Sequence, residues 1–386
     1  MKINKNFNKN QSRKTEKTGK IFTEKGKKIY LPILISLAVL FLASFIIILC
    51  TKPQNLSPEE HEQQGGWPNQ VVAPFVDMSA WTPLSSEYSL SGVPNLALVE
   101  EQTGLTYYNL GFIQPDQTTP IDSYGNIRWG WGGYYELSEK GNDGYQYPKI
   151  KQTLQNLTNM GASYTISVGG QLGKAPWVVT ENVDKLESFY LEIIDLYRLN
   201  RLDLDIEESN QTESGNIANA KAIKRVQDKT GVEIILTIPI MPTGWKDKQI
   251  KIIKAYLSEG VNISLINSMT MCYGAEVLAT EDYGDASVRA IKNSIKQMQE
   301  IWASYGTVLS EKQAYQKTGA TVDIGYESDL YPIFTPEMTK KVVEHAKEKG
   351  YGMVSYWSIN RDAKMETNKG VTNKYEFLNE LNKLYK

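Results

Sequence analysis

The sequence predicts an α/β fold, a (β/α)₈ TIM barrel preceded by a single N-terminal transmembrane helix. Two observations carry this. From residue 71 onward, eight short apolar runs rich in β-branched and aromatic residues recur, with stretches of helical periodicity between many of them. Strand and helix in alternation argue for a parallel sheet, and eight such units argue for closure as a barrel. Ahead of them, residues 29 to 50 form an apolar run with no charged side chain, long enough to cross a hydrocarbon core as a helix.

Taken in order, residues 1 to 28 hold ten Lys or Arg against two Glu, which leaves 32 basic and 42 acidic residues for the rest of the chain. Such a flank stays cytoplasmic, so 1–28 is expected to be a basic cytoplasmic tail. The run 29–50 is longer than the core of a cleavable signal and no A-x-A-like site follows it, so it is expected to act as a signal anchor. Cys50 closes the run as in a lipoprotein signal, but Leu49 before it is larger than the residue such signals carry. Residues 51–70, polar with Pro and Gly, are expected to form a flexible stalk. The remainder, 71–386, is long enough for one large core. Two cysteines, Cys50 and Cys272, allow no disulfide framework within that domain. A cell-membrane protein of a bacterial surface, Gram-positive in type, with its C-terminal domain outside, fits these features. The acidic outer domain argues against nucleic acid as a partner, and a monomer is expected.

The eight runs are VVAPFVDM from 71, YYNLGFIQ from 107, SYTISVGG from 163, RLDLDIE from 201, VEIILTIP from 232, LINSMTMCY from 265, TVDIGYE from 321 and MVSYWSIN from 353. Between them, stretches such as 149–162, 182–199 and 336–352 place apolar residues at spacings of three and four. Polar residues and glycines gather at the C-terminal ends of the runs, where such barrels build active sites: Asp77, Gln114, Gly169, Gly170, Glu207, Tyr273, Glu327 and Asn360.

The fourth run is the most informative. In NRLDLDIE, residues 200 to 207, Asp203, Asp205 and Glu207 alternate with Leu202, Leu204 and Ile206. On an extended chain the three acids share one face and the aliphatic residues the other. Three like charges in a row cost stability unless they are paired, protonated or used, and carboxylates perturbed in this way gather at functional sites.

NRLDLDIE resembles the D-G-x-D-x-D-x-E signature of glycoside hydrolase family 18, the chitinases and endo-β-N-acetylglucosaminidases. SVGG at 167–170 resembles the S-x-G-G of the family's third strand, and YWSINRD at 356–362 its tryptophan-bearing eighth strand in bacterial chitinases. APFVDMSAW and WGGYYE look like one bacterial branch in particular, and the likeness runs over roughly residues 70 to 365. Asn200 and Arg201 replace the first Asp and Gly of the signature, and MTMCYG departs from the usual Tyr-Asp of the sixth strand. In that run either Met271-Cys272 or Tyr273-Gly274 stands in for the pair, and Tyr273 is the preferred substrate-contacting phenol. Cys272, where a related branch carries Asp, could weaken catalysis.

The resemblance implies hydrolysis of β-1,4-linked N-acetylglucosamine polymers with retained configuration, the substrate's own 2-acetamido carbonyl attacking the anomeric carbon. Glu207 would then be general acid and later base. Asp205 would raise the pKa of Glu207 and hydrogen-bond the acetamido nitrogen, and Asp203 would share a proton with Asp205. Trp357 is the expected floor beneath the cleaved sugar. Trp81, Trp129, Trp131, Tyr134, Tyr135, Trp177 and Trp245 follow strand ends and are candidate rim platforms. Gln114 and Asp77 complete the expected substrate contacts, Gly169 and Gly170 are expected to allow a close approach to the fourth strand, and Arg361 is expected to pair with Asp362. No cofactor or metal is expected: His61 lies in the stalk and His345 on a helix, away from the strand ends. An endo-β-N-acetylglucosaminidase acting on N-glycans and a chitin-binding lectin on the same barrel are the alternatives. Lectins of this type usually lack the catalytic Glu.

Overall fold

The computed structural model describes residues 66–385. The expected basic tail, the expected transmembrane segment over 29–50 and residues 51–65 of the expected stalk lie outside the described residues. Among the described residues no helix is long and apolar enough to cross a membrane.

Among the described residues eight strands form the parallel ring of the sheet, and a short strand, Trp129–Trp131, joins it antiparallel along Ile113 to Pro115. The first, β1, is in two pieces, Val71–Val72 and Phe75–Asp77. The others are β2 (Tyr107–Pro115), β3 (Ser163–Gly169), β4 (Arg201–Asp205), β5 (Glu233–Pro239), β6 (Ile263–Met269), β7 (Thr318–Asp323) and β8 (Met353–Trp357). All eight of the apolar runs therefore hold a strand. Neighbours in sequence pair in parallel from β2 through to β8. The two pieces of β1 serve opposite edges: Val71 and Val72 pair with Met353 and Val354 of β8, and Phe75 to Asp77 pair with Asn109 to Gly111 of β2. Pro74 sits between them; with no N–H to donate it cannot continue a ladder, so the break falls there. The sheet thereby curls back on itself through β1, as a TIM barrel does.

One principal helix follows each strand: α1 (Leu96–Thr103), α2 (Tyr147–Asn159), α3 (Val183–Tyr197), α4 (Glu213–Thr230), α5 (Asp247–Ser258), α6 (Tyr283–Ser304), α7 (Pro336–Lys349) and α8 (Glu376–Leu381). Helix starts are chemically marked. Asn182, for example, accepts from the N–H groups of Asp184 and Lys185 at 3.0 and 3.2 Å, satisfying two donors that the first turn of α3 leaves free.

Every residue of β3 and β4 is buried, as expected for strands covered on both sides. Their outer faces, with Ile166, Leu202 and Leu204, join the main hydrophobic core together with Ile193 of α3, Ile223 of α4 and Ile253 of α5. Their inner faces are polar, with Ser167, Asp203 and Asp205 pointing into the barrel. The period of two thus separates a hydrocarbon layer from a polar barrel interior, and the carboxylates climb that interior towards the C-terminal ends of the strands.

Candidate active site

Asp203 is the deepest of the three acids. The register sets it beside Ser167 on β3 and Ile235 on β5. Its carboxylate accepts from the Ser167 hydroxyl at 2.5 Å and from the Thr237 hydroxyl at 2.6 Å. Burial pushes its pKa up to about 7, against the two hydroxyls, which favour the anion. Asp205, one pleat higher, is 3% exposed, and its Oδ1 has no hydrogen-bond partner in the protein. Burial first, then the charges of Glu207 and Asp203, drive its pKa well upward. Glu207 is half-buried, and burial followed by the charge of Glu208 raises its pKa to about 7. The three acids therefore form a ladder from a hydrogen-bonded floor to an open rung.

Two glycines make room for it. Gly169 has φ +119°, and a Cβ built there would lie 2.1 Å from the carbonyl oxygen of Asp205, so only glycine fits the approach of β3 to β4. Gly170 has φ +91° and faces the ring of Phe112, 2.9 Å from its would-be Cβ, while its N–H donates to that same Asp205 carbonyl at 3.2 Å. Gly169 supplies the close approach to β4 expected of this pair, whereas Gly170 makes room for Phe112 of β2.

Trp357 ends β8 and is partly open. Its ring stacks on Phe112 with centroids 5.5 Å apart and planes 20° from parallel, and Phe75 lies 6.3 Å away on the same side. A backed aromatic face at the mouth of the barrel is what an apolar sugar face stacks upon. Trp81, 51% exposed, and Tyr134, also 51% exposed, lie on loops that meet: a Cβ at Gly132 would touch Ser79 on one side and Tyr134 on the other.

Other expected contacts are corrected. Trp131 is fully buried; its indole N–H donates to the Tyr197 hydroxyl of α3 at 3.1 Å, so it is a core residue. Trp129, Trp177 and Trp245 are buried in the same way, Trp177 donating to the Asn210 carbonyl at 2.7 Å. Tyr273 is buried too. It packs on Tyr283 and its hydroxyl donates to Ser287 of α6 at 3.3 Å, which directs the phenol into the sheet–helix layer and leaves no phenol for substrate. The neighbouring Cys272, exposed and at φ +55°, is the residue of that run with Glu207, Asp323 and Glu327 among its charged neighbours. Gln114 is buried and donates to the carbonyls of Gly169, at 2.6 Å, and Leu172, so it holds the loop after β3. Asp77 accepts from Ser79 and Ala80 and shapes the turn after β1, its backbone clasped by Asn360 in both directions. Arg361 does not pair with Asp362. It reaches Asp323, Glu327 at 2.6 Å and Glu366 at 3.5 Å, whereas Asp362 accepts from Tyr356 and from the N–H groups of Phe377 and Leu378.

Sequence reasoning missed Phe112 as the backing of Trp357 and missed Asp323, whose pKa burial raises to about 7 at the end of β7 despite Arg361 beside it. For Asp323 the signal was its place at the end of β7; Phe112 lies within β2, and nothing local marks it. His345 sits on α7 with Nδ1 2.7 Å from the Tyr351 hydroxyl, away from the strand ends, and His61 lies outside the described residues. Among the described residues, no group of three or more His, Cys, Asp or Glu is placed to hold a metal ion.

Known proteins resemble this chain in sequence and in fold. It is 28% identical over 316 residues to the probable bifunctional chitinase/lysozyme of Escherichia coli, covering 78% of this chain and 32% of that protein. It is 26% identical over 311 residues to endochitinase 11 of Metarhizium anisopliae, covering 77% and 53%. The chain thus spans about a third and about half the length of these curated relatives. In fold, it matches the catalytic domain of the hyperthermophilic chitinase from Pyrococcus furiosus with TM-score 0.67 and 22% identity over 84% of this chain and 97% of that one. A family GH18 chitinase from Chromobacterium violaceum matches with TM-score 0.53 and 18% identity, covering 84% and 85%. No family model matches. The likeness to known chitinases therefore runs across most of the chain.

Proposed function

We propose that this chain, a relative of the family 18 chitinases, hydrolyses β-1,4-linked N-acetylglucosamine polymers at the cell surface, with retained configuration and with the substrate's own acetamido carbonyl as nucleophile. The observation that carries this reading is the carboxylate ladder: Asp203 held by two hydroxyls, Asp205 buried with an unpartnered oxygen, and Glu207 open to the mouth with its pKa at about 7. A group titrating near neutrality can give a proton to the leaving oxygen and then take one from water, the two tasks asked of Glu207. The Asp205 oxygen offers an acceptor for the acetamido N–H, which would orient the carbonyl for attack and stabilise the cationic ring it forms. Trp357 on Phe112 supplies the sugar platform. Placement at the surface rests on the uncharged run 29–50 behind its basic flank.

Digesting chitohexaose and an N-glycosylated glycoprotein side by side tests the assignment. Cleavage of chitohexaose alone supports it. Release of the N-glycan with chitohexaose untouched would instead make the chain an endo-β-N-acetylglucosaminidase, and binding of both without turnover would make it a lectin.

A further inference from the structure

The hydroxyl that holds Asp203 from β5 is itself held. Thr237 donates to Asp203, Asn267 on β6 donates through Nδ2 to the Thr237 oxygen at 3.0 Å, and Thr321 on β7 donates to Asn267 Oδ1 at 2.8 Å. All four side chains are at least 98% buried. The chain runs across four neighbouring strands in the barrel interior, and every donor in it points the same way. Thr237 spends its only proton on Asp203, so its lone pair must face a donor, which fixes the Asn267 amide with nitrogen towards β5 and oxygen towards β7. The Thr321 hydroxyl then closes the acceptor end. No aliphatic core requires these three polar residues at one level of the barrel; burying them is costly unless each bond is made.

We propose that Thr321, Asn267 and Thr237 form a directed donor relay ending on Asp203, which makes Asn267 and Thr321 positioning residues for the carboxylate ladder from two and three strands away. The inference rests on the reading of that ladder as catalytic. Donors aligned along one direction polarise one another, so each member strengthens the bond that reaches the carboxylate. The relay favours the Asp203 anion and thereby decides how a proton is divided between Asp203 and Asp205. The groups facing Asp203 are the neutral Ser167 from β3 and Thr237 from β5, with Asp205 as the charged neighbour on its own strand.

The test is a graded series in the full-length chain: Thr237→Val, Asn267→Ala, Thr321→Val and Thr321→Ser. Two readouts are taken, the pH profile of kcat on chitohexaose and the pH dependence of urea unfolding between pH 5 and 8. Losing the direct donor in Thr237→Val should move the titration of the Asp203–Asp205 pair upward by about one to two pH units. Cutting the relay further back should move it by a few tenths of a unit, in the order Asn267→Ala before Thr321→Val. Thr321→Ser, which keeps the hydroxyl, should return to wild type. The unfolding readout needs no substrate, so it reports on the relay even if the chain proves not to cleave chitin. A relay with only a structural task would lower the unfolding midpoint equally at all pH values. Titrations of Asn267→Ala and Thr321→Val that superimpose on wild type would overturn the proposal. Should Asn267→Ala fail to fold, the Thr321→Val and Thr321→Ser pair decides alone.

Discussion

Replacing Asp203 by Asn should make the domain less sensitive to pH, and the size of the effect follows from the site. The carboxyl titrates at about 7 in the folded protein against an ordinary 3.8, because burial penalises the anion more than Ser167 and Thr237 reward it. A raised carboxyl means that the folded state holds the proton more firmly than the unfolded chain between those two values. Stability therefore falls as pH rises across that window. At about 1.4 kcal/mol per pH unit of displacement, wild type forfeits about 4 kcal/mol between pH 4 and pH 8 through this group. Asn matches the protonated acid in size and cannot ionise, but it turns an N–H₂ towards one of the two hydroxyls that now donate, at a cost of about 1 kcal/mol at every pH. The variant should thus be more stable than wild type by less than about 1 kcal/mol at pH 5 and by about 3 kcal/mol at pH 8. Urea unfolding followed by tryptophan fluorescence at both pH values measures this, with the slope unchanged. Parallel curves, with the same difference at both, would show that Asp203 is ionised throughout and that the buried-acid reasoning is wrong.

Three further outcomes are expected. Gly169→Ala forces a Cβ to 2.1 Å from the Asp205 backbone at φ +119°, so it should cost at least about 3 kcal/mol in urea unfolding and depress turnover of whatever folds; a midpoint like that of wild type would refute the close approach. Trp357→Ala should raise KM for chito-oligosaccharides more than about tenfold, the worth of a lost aromatic platform of about 1.5 kcal/mol, while Trp131→Phe and Tyr273→Phe leave it unchanged because both rings are buried. Protease added to intact cells should remove the C-terminal domain, as expected from the charge asymmetry about residues 29–50; survival until lysis would reverse the orientation.

The barrel was legible because its two periodicities are written plainly, β-branched runs alternating with spacings of three and four; the break at Pro74, where β1 changes partner, was not read from it. The ladder was legible because period two in NRLDLDIE can put three acids on one side only. The aromatic rim was not. Trp131 and Trp81 both follow strand ends, and nothing local to either says that one indole finds Tyr197 in the core while the other stays open. Tyr273 failed for a related reason: Cys272 takes a positive φ, which turns the next side chain towards α6. The pairing of Arg361 with Asp323 and Glu327 and the relay through Asn267 link residues 30 to 54 positions apart, so they exist only once the strands are side by side.

The most direct measurement is the turnover of chitohexaose by Glu207→Gln beside wild type. The amide keeps the shape of the acid and its place at the mouth but cannot give or take the proton, so binding should persist while kcat falls by about 10⁴-fold, the upper end of a general acid–base contribution, since both steps are lost. Turnover within a few-fold of wild type would remove Glu207 from the chemistry and leave the ladder without its acid.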